Sequence, residues 1–272
     1  MSNWAAIPSP NLSAVNIGPL TLHFYALCII AGIVIAVRDG DKRFVNRGGD
    51  LGDVATIAFW ALPAGIIGGR IYHVLTSWGT FSSPLDAIAI WRGGLGIWGA
   101  ISLGTAGAWF GFKSLSKSKP QLPAFGVFLD ALAPGVLLAQ AIGRWGNWFN
   151  IELFGKPLTA PWALQVPFEN RPSGYQSFAT FHPTFLYESI WCVAVALLLI
   201  KTDKAGFFTR AKAGTLFISY IALYTFGRGL IELLRIDSSS QILGMRLNFW
   251  TSLIIFSGST AWFVVRKVSQ KR

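Results

Sequence analysis

Residues 143–155, GRWGNWFNIELFG, set an arginine, two asparagines, a glutamate and three glycines at the end of a long apolar run. Arg144 and Asn147 are three apart, and so are Asn147 and Asn150, so on a helical turn all three project from one face. Gly143 and Gly146 remove bulk beside Arg144 and let a neighbouring group come close. A planar guanidinium matches an oxyanion bidentately, and the asparagines add neutral donors. Glu152 reads either as an ion-pair partner that orients Arg144 or as a helix cap. The chemistry that suits these residue types is the binding of an anion.

Further along, FGRGLIELLR (226–235) carries Arg228, Glu232 and Arg235 at i, i+4 and i+7, one helical face. The plain reading is an intrahelical ladder, worth only ~0.3–0.5 kcal/mol per exposed pair. At a membrane boundary such a ladder faces a protein interior rather than lipid. LHFY (22–25) opens an apolar run with His23 and Tyr25, which, two apart, point to different sides of a helix. HPTFLYE (182–188) starts another, with His182 before Pro183 as a helix start and Tyr187 and Glu188 in the first turn and a half. Tyr187 also fits an interfacial aromatic belt. WRGGLGIWGA (91–100) has four glycines in ten positions, which suit close helix packing or a glycine-lined cavity that admits lipid. No HExxH, GxSxG, P-loop, dinucleotide fingerprint or Asp-rich metal motif is present, so neither a metal nor a cofactor is expected.

The elements that must hold these residues follow from composition. The 272 residues are 53% hydrophobic and only 13% charged, with mean hydropathy +0.50. A soluble domain carries about 25% charged residues. Seven apolar runs are long enough for ~30 Å of hydrocarbon: 18–37, 53–72, 95–112, 125–143, 184–200, 214–231 and 247–265. Asp130 and Pro134 interrupt the fourth. The expectation is an all-α integral membrane protein, residues 1–272 forming a single polytopic domain of about seven transmembrane helices. An arginine near the bilayer centre costs about 2.5–3.5 kcal/mol on insertion scales, so Arg144 at such a depth demands a use.

The net charge of +11 invites nucleic acid, but its distribution argues against that partner. With the N-terminus outside, segments 38–52, 113–124, 201–213 and 266–272 are cytoplasmic and hold 15 of the 23 Lys and Arg, while residues 1–17 hold none. That asymmetry is the positive-inside rule and predicts N-out, C-in. No basic n-region or small-residue cleavage site precedes the first run, so His23 to Val37 reads as a retained helix. Residues 73–94, with Trp78, Phe81, Ile88, Ile90 and Trp91, suit an interfacial segment. Residues 144–183 include WALQV (162–166) and the turn-like ENRPSGY, and predict a small external subdomain with one or two short strands. Arg70, Arg92, Arg144, Arg171, Arg228, Arg235 and Arg246, with Lys156, lie at external or boundary positions. Arg70, Arg144, Arg228 and Arg235 fall at helix ends, where each alone can snorkel to the interface; several converging favour a shared anionic ligand. Cys28 and Cys192 lie inside predicted spans and read as unpaired packing residues.

GRWGNWFNIELFG resembles the signature G-R-x-G-N-F-x-N-x-E-x-x-G of the bacterial prolipoprotein diacylglyceryl transferases. It matches at Gly143, Arg144, Gly146, Asn147, Asn150, Glu152 and Gly155, with Trp148 at the Phe position. LHFYAL, the GGR at 68–70, WRGGLGIWGA, HPTFLYE and FGRGLIELLR extend the resemblance in order over most of the chain. It implies transfer of the diacylglyceryl group of phosphatidylglycerol to the thiol of a lipobox cysteine in a prolipoprotein, forming a thioether and releasing glycerol phosphate, in the bacterial plasma membrane. By position it implies a catalytic set of Arg144, Arg228, Tyr25 and His23. The phosphatidylglycerol-binding set it implies is Arg144, Asn147, Asn150, Glu152, Gly155, Arg228, Glu232 and Arg235. One position departs from the family: many members carry a histidine in a GGLxxHG pattern, proposed as the thiol base, and here Trp98 stands there. His23, and after it His182, are the other candidates for that base, or an arginine-rich field lowers the thiol pKa from about 8.5. A transporter of a small anion or lipid is the rival class. It predicts matching half-repeats or polar residues through the full membrane depth, whereas the polar residues here gather at the external ends.

Overall fold

Uninterrupted runs of Leu, Ile, Val, Ala and aromatic residues satisfy every backbone group internally only as helices, and helices are what they form. The computed structural model describes residues 6–18, 20–81, 83, 85–90, 93–208 and 211–269. Trp91 and Arg92 of the glycine-rich run lie outside the described residues. Among the described residues there are seven α-helices: α1 (Phe24–Val45), α2 (Asp53–Thr76), α3 (Ile97–Ser118), α4 (Phe125–Phe149), α5 (Thr184–Lys204), α6 (Thr215–Glu232) and α7 (Leu247–Ser269). Four of them, α2, α4, α5 and residues Leu247–Val265 of α7, are both long and apolar enough to cross a bilayer. Phe59, Ile190 and Ile254 stand 71%, 58% and 69% exposed, a surface that belongs in hydrocarbon and not in water. The chain is an all-α integral membrane protein.

Among the described residues three antiparallel two-stranded sheets accompany the helices: β1 (Ala14–Ile17) with β2 (Leu20–His23), β3 (Leu164–Gln165) with β4 (Thr180–Phe181), and β5 (Gln241–Ile242) with β6 (Met245–Arg246). The β1–β2 hairpin corrects the reading of His23 as helical. Gly18 turns the chain at φ 59° and Thr21 Oγ1 donates to Asn16 Oδ1 at 2.8 Å, so His23 ends a strand, exposed, and α1 starts one residue later. Conversely, α4 runs unbroken through Asp130 and Pro134 to Phe149, taking Arg144 and Asn147 into its last turns.

The chain divides into two compact units. In Asp39–Leu132, α2 and α3 meet along glycines. A Cβ on Gly68 would lie 2.3 Å from the carbonyl oxygen of Gly99, so the backbones touch where side chains would separate them. At one end of this unit Lys119 Nζ bridges Asp50 (2.7 Å) and Asp53 (2.6 Å), and those hydrogen bonds raise its pKa.

The other unit joins Met1–Arg38 to Ala133–Arg272. Here α1 lies against α4, with Gly32 at the Ala139 backbone and the rings of Phe24 and Phe149 stacked 4.7 Å apart. Ala133, Leu137 and Ala141 of α4 pack with Cys192, Val195 and Ala196 of α5 and Leu216 of α6 as its core. Cys28 and Cys192 are both free thiols. Beyond α4, Phe154, Leu164, Val166, Phe181 and Phe185 form a second, smaller core around β3 and β4.

Candidate active site

The ends of α4, α5 and α6 bring together arginines that are far apart in sequence. Arg144 Nε lies 2.7 Å from Glu188 Oε2, and Arg228 Nη1 lies 2.6 Å from Glu188 Oε1. Arg228 also reaches Glu232 at 2.8 Å, and Glu232 meets Arg246 at 2.6 Å and Arg235 at 3.6 Å. Asp237 closes the series on Arg235 (2.8 Å) and Arg246 (2.9 Å). Four guanidiniums against three carboxylates leave one positive charge, an arrangement that suits a monoanion. Glu188 and Glu232 are buried, and buried carboxylates persist where cations hold them. Burial works to raise the Asp237 pKa, but hydrogen bonds and charge from Arg235, with Arg246, hold it below the ordinary carboxylate range.

Helix geometry explains part of this. Glu188 sits one turn into α5, while Arg228 and Glu232 share a face of α6 at i, i+4. Arg235 lies beyond the end of α6, so the expected helical ladder stops at Glu232 and Arg235 joins from the following segment. Tyr224, one turn before Arg228, receives a hydrogen bond from Arg144 Nη2 at 3.3 Å.

Glu152 is neither the partner of Arg144 nor a helix cap. Its Oε1 accepts from Asn147 Nδ2 at 2.9 Å and Asn150 Nδ2 at 3.3 Å, because the chain leaves helix at Asn150 and folds back. The turn is strained: Ile151 and Leu153, on either side of Glu152, have φ of 53° and 59°. Gly146 lets the Tyr25 ring lie on α4, since a Cβ there would fall 2.6 Å from the ring. Gly155 marks a crossing of three segments. A Cβ on it would lie 2.8 Å from His182 and 2.9 Å from the Leu234 carbonyl oxygen, and its N–H donates to the His182 carbonyl at 2.9 Å.

Not every arginine expected at an external or boundary position joins the cluster. Arg70 is buried and donates to the carbonyls of Asp86, Ala87, Gly93 and Gly94, so it holds a loop. Arg171 donates to the carbonyls of Val166 (2.9 Å) and Gln176 (2.8 Å) and braces the small subdomain. His182 belongs to that subdomain too: its Nδ1 is 3.2 Å from the Tyr187 hydroxyl, and burial, then Lys156, lower its pKa. Sequence reasoning placed Glu188, Asp237 and Tyr224 in no site, and named Arg246 only among the arginines at external or boundary positions. Glu188 and Asp237 were visible only as acids beside an apolar run and beside Arg235.

Comparison with known proteins identifies the family. A family model described as prolipoprotein diacylglyceryl transferase matches residues 12–265. The chain is 49% identical over 265 residues to phosphatidylglycerol–prolipoprotein diacylglyceryl transferase 2 of Streptomyces coelicolor, covering 96% of this chain and 81% of that one. The like-named protein of Streptomyces griseus is 48% identical over 268 residues, with 97% and 78% covered. That of Cutibacterium acnes is 46% identical over 264 residues, with 96% and 86% covered. Matched along nearly its whole length by the family model and by these relatives, the chain belongs to the prolipoprotein diacylglyceryl transferase family.

Proposed function

We propose that the protein transfers the diacylglyceryl group of phosphatidylglycerol to the thiol of a lipobox cysteine in a prolipoprotein, giving a thioether and glycerol phosphate. It does so in the bacterial plasma membrane, spanning it seven times with the N-terminus outside and the C-terminus in the cytoplasm, so that the arginine cluster lies at the outer face. The observation that carries this reading is the linked series from Arg144 to Asp237, with its one uncompensated positive charge.

A phosphodiester brings one negative charge to the cluster, and a second develops on phosphate oxygen as the carbon–oxygen bond breaks. Arg144 and Arg228 answer that growing charge, because Glu188 and Glu232 hold them in place before the reaction begins. Each guanidinium has five donors, more than its carboxylate and hydroxyl partners take, and the two side chains remain 20% and 14% exposed for the head group. Arg144 grips the phosphate and Arg228 assists its departure. Tyr25, Asn147, Asn150 and Glu152 wall the pocket, and Gly155 and Arg235 set its outer edge.

The test is to incubate purified protein with phosphatidylglycerol and a synthetic lipobox peptide, following thioether and glycerol phosphate by mass spectrometry. Wild type yields both, and Arg144→Ala reduces the rate at least ~10²-fold, the effect of losing a fixed charge donor. Absence of product from wild type, or full activity in Arg144→Ala, would overturn the reading.

A further inference from the structure

We infer that Glu152 takes the proton of the acceptor thiol, an inference that rests on the diacylglyceryl-transfer reading above. Trp98 leaves the chain without the histidine for which that role has been proposed, and four acids line or link the site: Glu152, Glu188, Glu232 and Asp237. Three of them are spent on arginines. Glu152 differs. Among the described residues it pairs with no cation, and its side chain is held by the neutral amides of Asn147 and Asn150. Amide donors orient a carboxylate without cancelling its charge, which an arginine would do. Both bonds end on Oε1, so the lone pairs of Oε2 are left to a substrate donor.

The surroundings of Glu152 are built for one position of that side chain. Its N–H donates to the Asn147 carbonyl at 3.1 Å, and the left-handed backbone at Ile151 and Leu153 fixes the turn from both sides. Strain of this kind persists only where neighbouring structure over-determines it. Glu152 lines a cavity of about 210 Å³ together with Asn170, Pro172, Ile236 and Asp237, space that an acceptor side chain would occupy beside the carboxylate. Asn147, which holds Glu152, follows Arg144 by three residues on α4, so the proton acceptor is tied to the helical turn that carries the phosphate-binding guanidinium. The other candidates are placed worse: His23 is exposed at the end of β2, and His182 is engaged by Tyr187.

In the step itself the carboxylate of Glu152 takes the proton from Sγ while the sulfur electron pair forms the bond to the phosphate-bearing glycerol carbon. The carbon–oxygen bond breaks, its electrons stay on the phosphate oxygen, and Glu152 passes the proton to water. A thiol with an ordinary pKa of about 8.5 needs this help at neutral pH, whereas an acceptor already ionised does not.

That difference gives the test. Full-length Glu152→Gln and Glu152→Asp are assayed with phosphatidylglycerol vesicles and two lipobox peptides, one with cysteine and one with selenocysteine, whose selenol is ionised at neutral pH. Glu152→Gln loses roughly 10²–10⁴-fold in rate with the cysteine peptide at pH 7. The loss shrinks as pH rises through the thiol's own ionisation, and the selenocysteine peptide reacts within a few-fold of wild type. Glu152→Asp keeps the wild-type pH profile at reduced rate, which guards against a glutamine variant that fails to fold. Equal loss with both peptides at every pH, or full cysteine activity in Glu152→Gln, would overturn the inference. Failure of wild type to modify either peptide would instead sink the transfer reading beneath it.

Discussion

A guanidinium at the end of a helix has several rotamers within reach, and a carboxylate on one side decides among them. Glu188 does this for two arginines at once, Arg144 from α4 and Arg228 from α6, so one buried acid sets the spacing of both. Glu188→Gln therefore leaves two cations facing each other with a neutral amide between them. The expected cost is about 3–5 kcal/mol of stability, as for breaking a buried pair, together with loss of transfer activity. Thermal unfolding in nanodiscs checks it; unchanged unfolding would mean that the guanidiniums do not depend on Glu188. At this scale much was legible. Arg144, Asn147, Asn150 and Glu152 were readable as one constellation because they sit within one turn and the bend after it. The Arg144–Glu188 pair was not, because its members are 44 residues apart and nothing local joins them.

Apolar runs locate the helices because hydrocarbon leaves the backbone no other partner. They do not locate β1–β2 or β5–β6, whose two to four residues depend on turns such as that at Gly18, whereas the strand expected from WALQV is found as β3, paired with β4. The same limit explains the end of α4. Polarity after Ile142 reads as a boundary, yet the helix continues to Phe149 because Arg144 finds Glu188 and Asn147 finds Glu152. Gly155 shows how the elements are locked. It lies where the segments after α4 and α6 meet the start of α5, and any side chain there meets His182 and the Leu234 carbonyl. Gly155→Ala should cost about 1–3 kcal/mol by overpacking. Gly79→Ala, with nothing within 4 Å of its Cβ, should change stability by less than ~0.5 kcal/mol. Unfolding of the two variants side by side makes the comparison; equal effects would remove the crossing as the explanation.

Across the whole molecule, charge placement is a statement about orientation. With 15 of 23 basic residues in segments 38–52, 113–124, 201–213 and 266–272, the proposed topology puts those segments inside and residues 144–183 outside. In a chain freed of Cys28 and Cys192, a cysteine introduced by Ser173→Cys should react with a membrane-impermeant maleimide on intact cells. One introduced by Lys117→Cys should react only after permeabilisation. The opposite pattern would invert the topology and move the arginine cluster to the cytoplasmic face. The sequence by itself determined the class of protein, the membrane as its solvent and the residues of the proposed anion site, because hydropathy, charge bias and local spacing are additive along a chain. Only the tertiary structure decided which acid serves which arginine, that Arg70 and Arg171 hold loops, and that Glu152 stands apart from the ion pairs. Those outcomes rest on contacts between residues tens of positions apart, where burial forces every charge to find a partner that sequence order does not name.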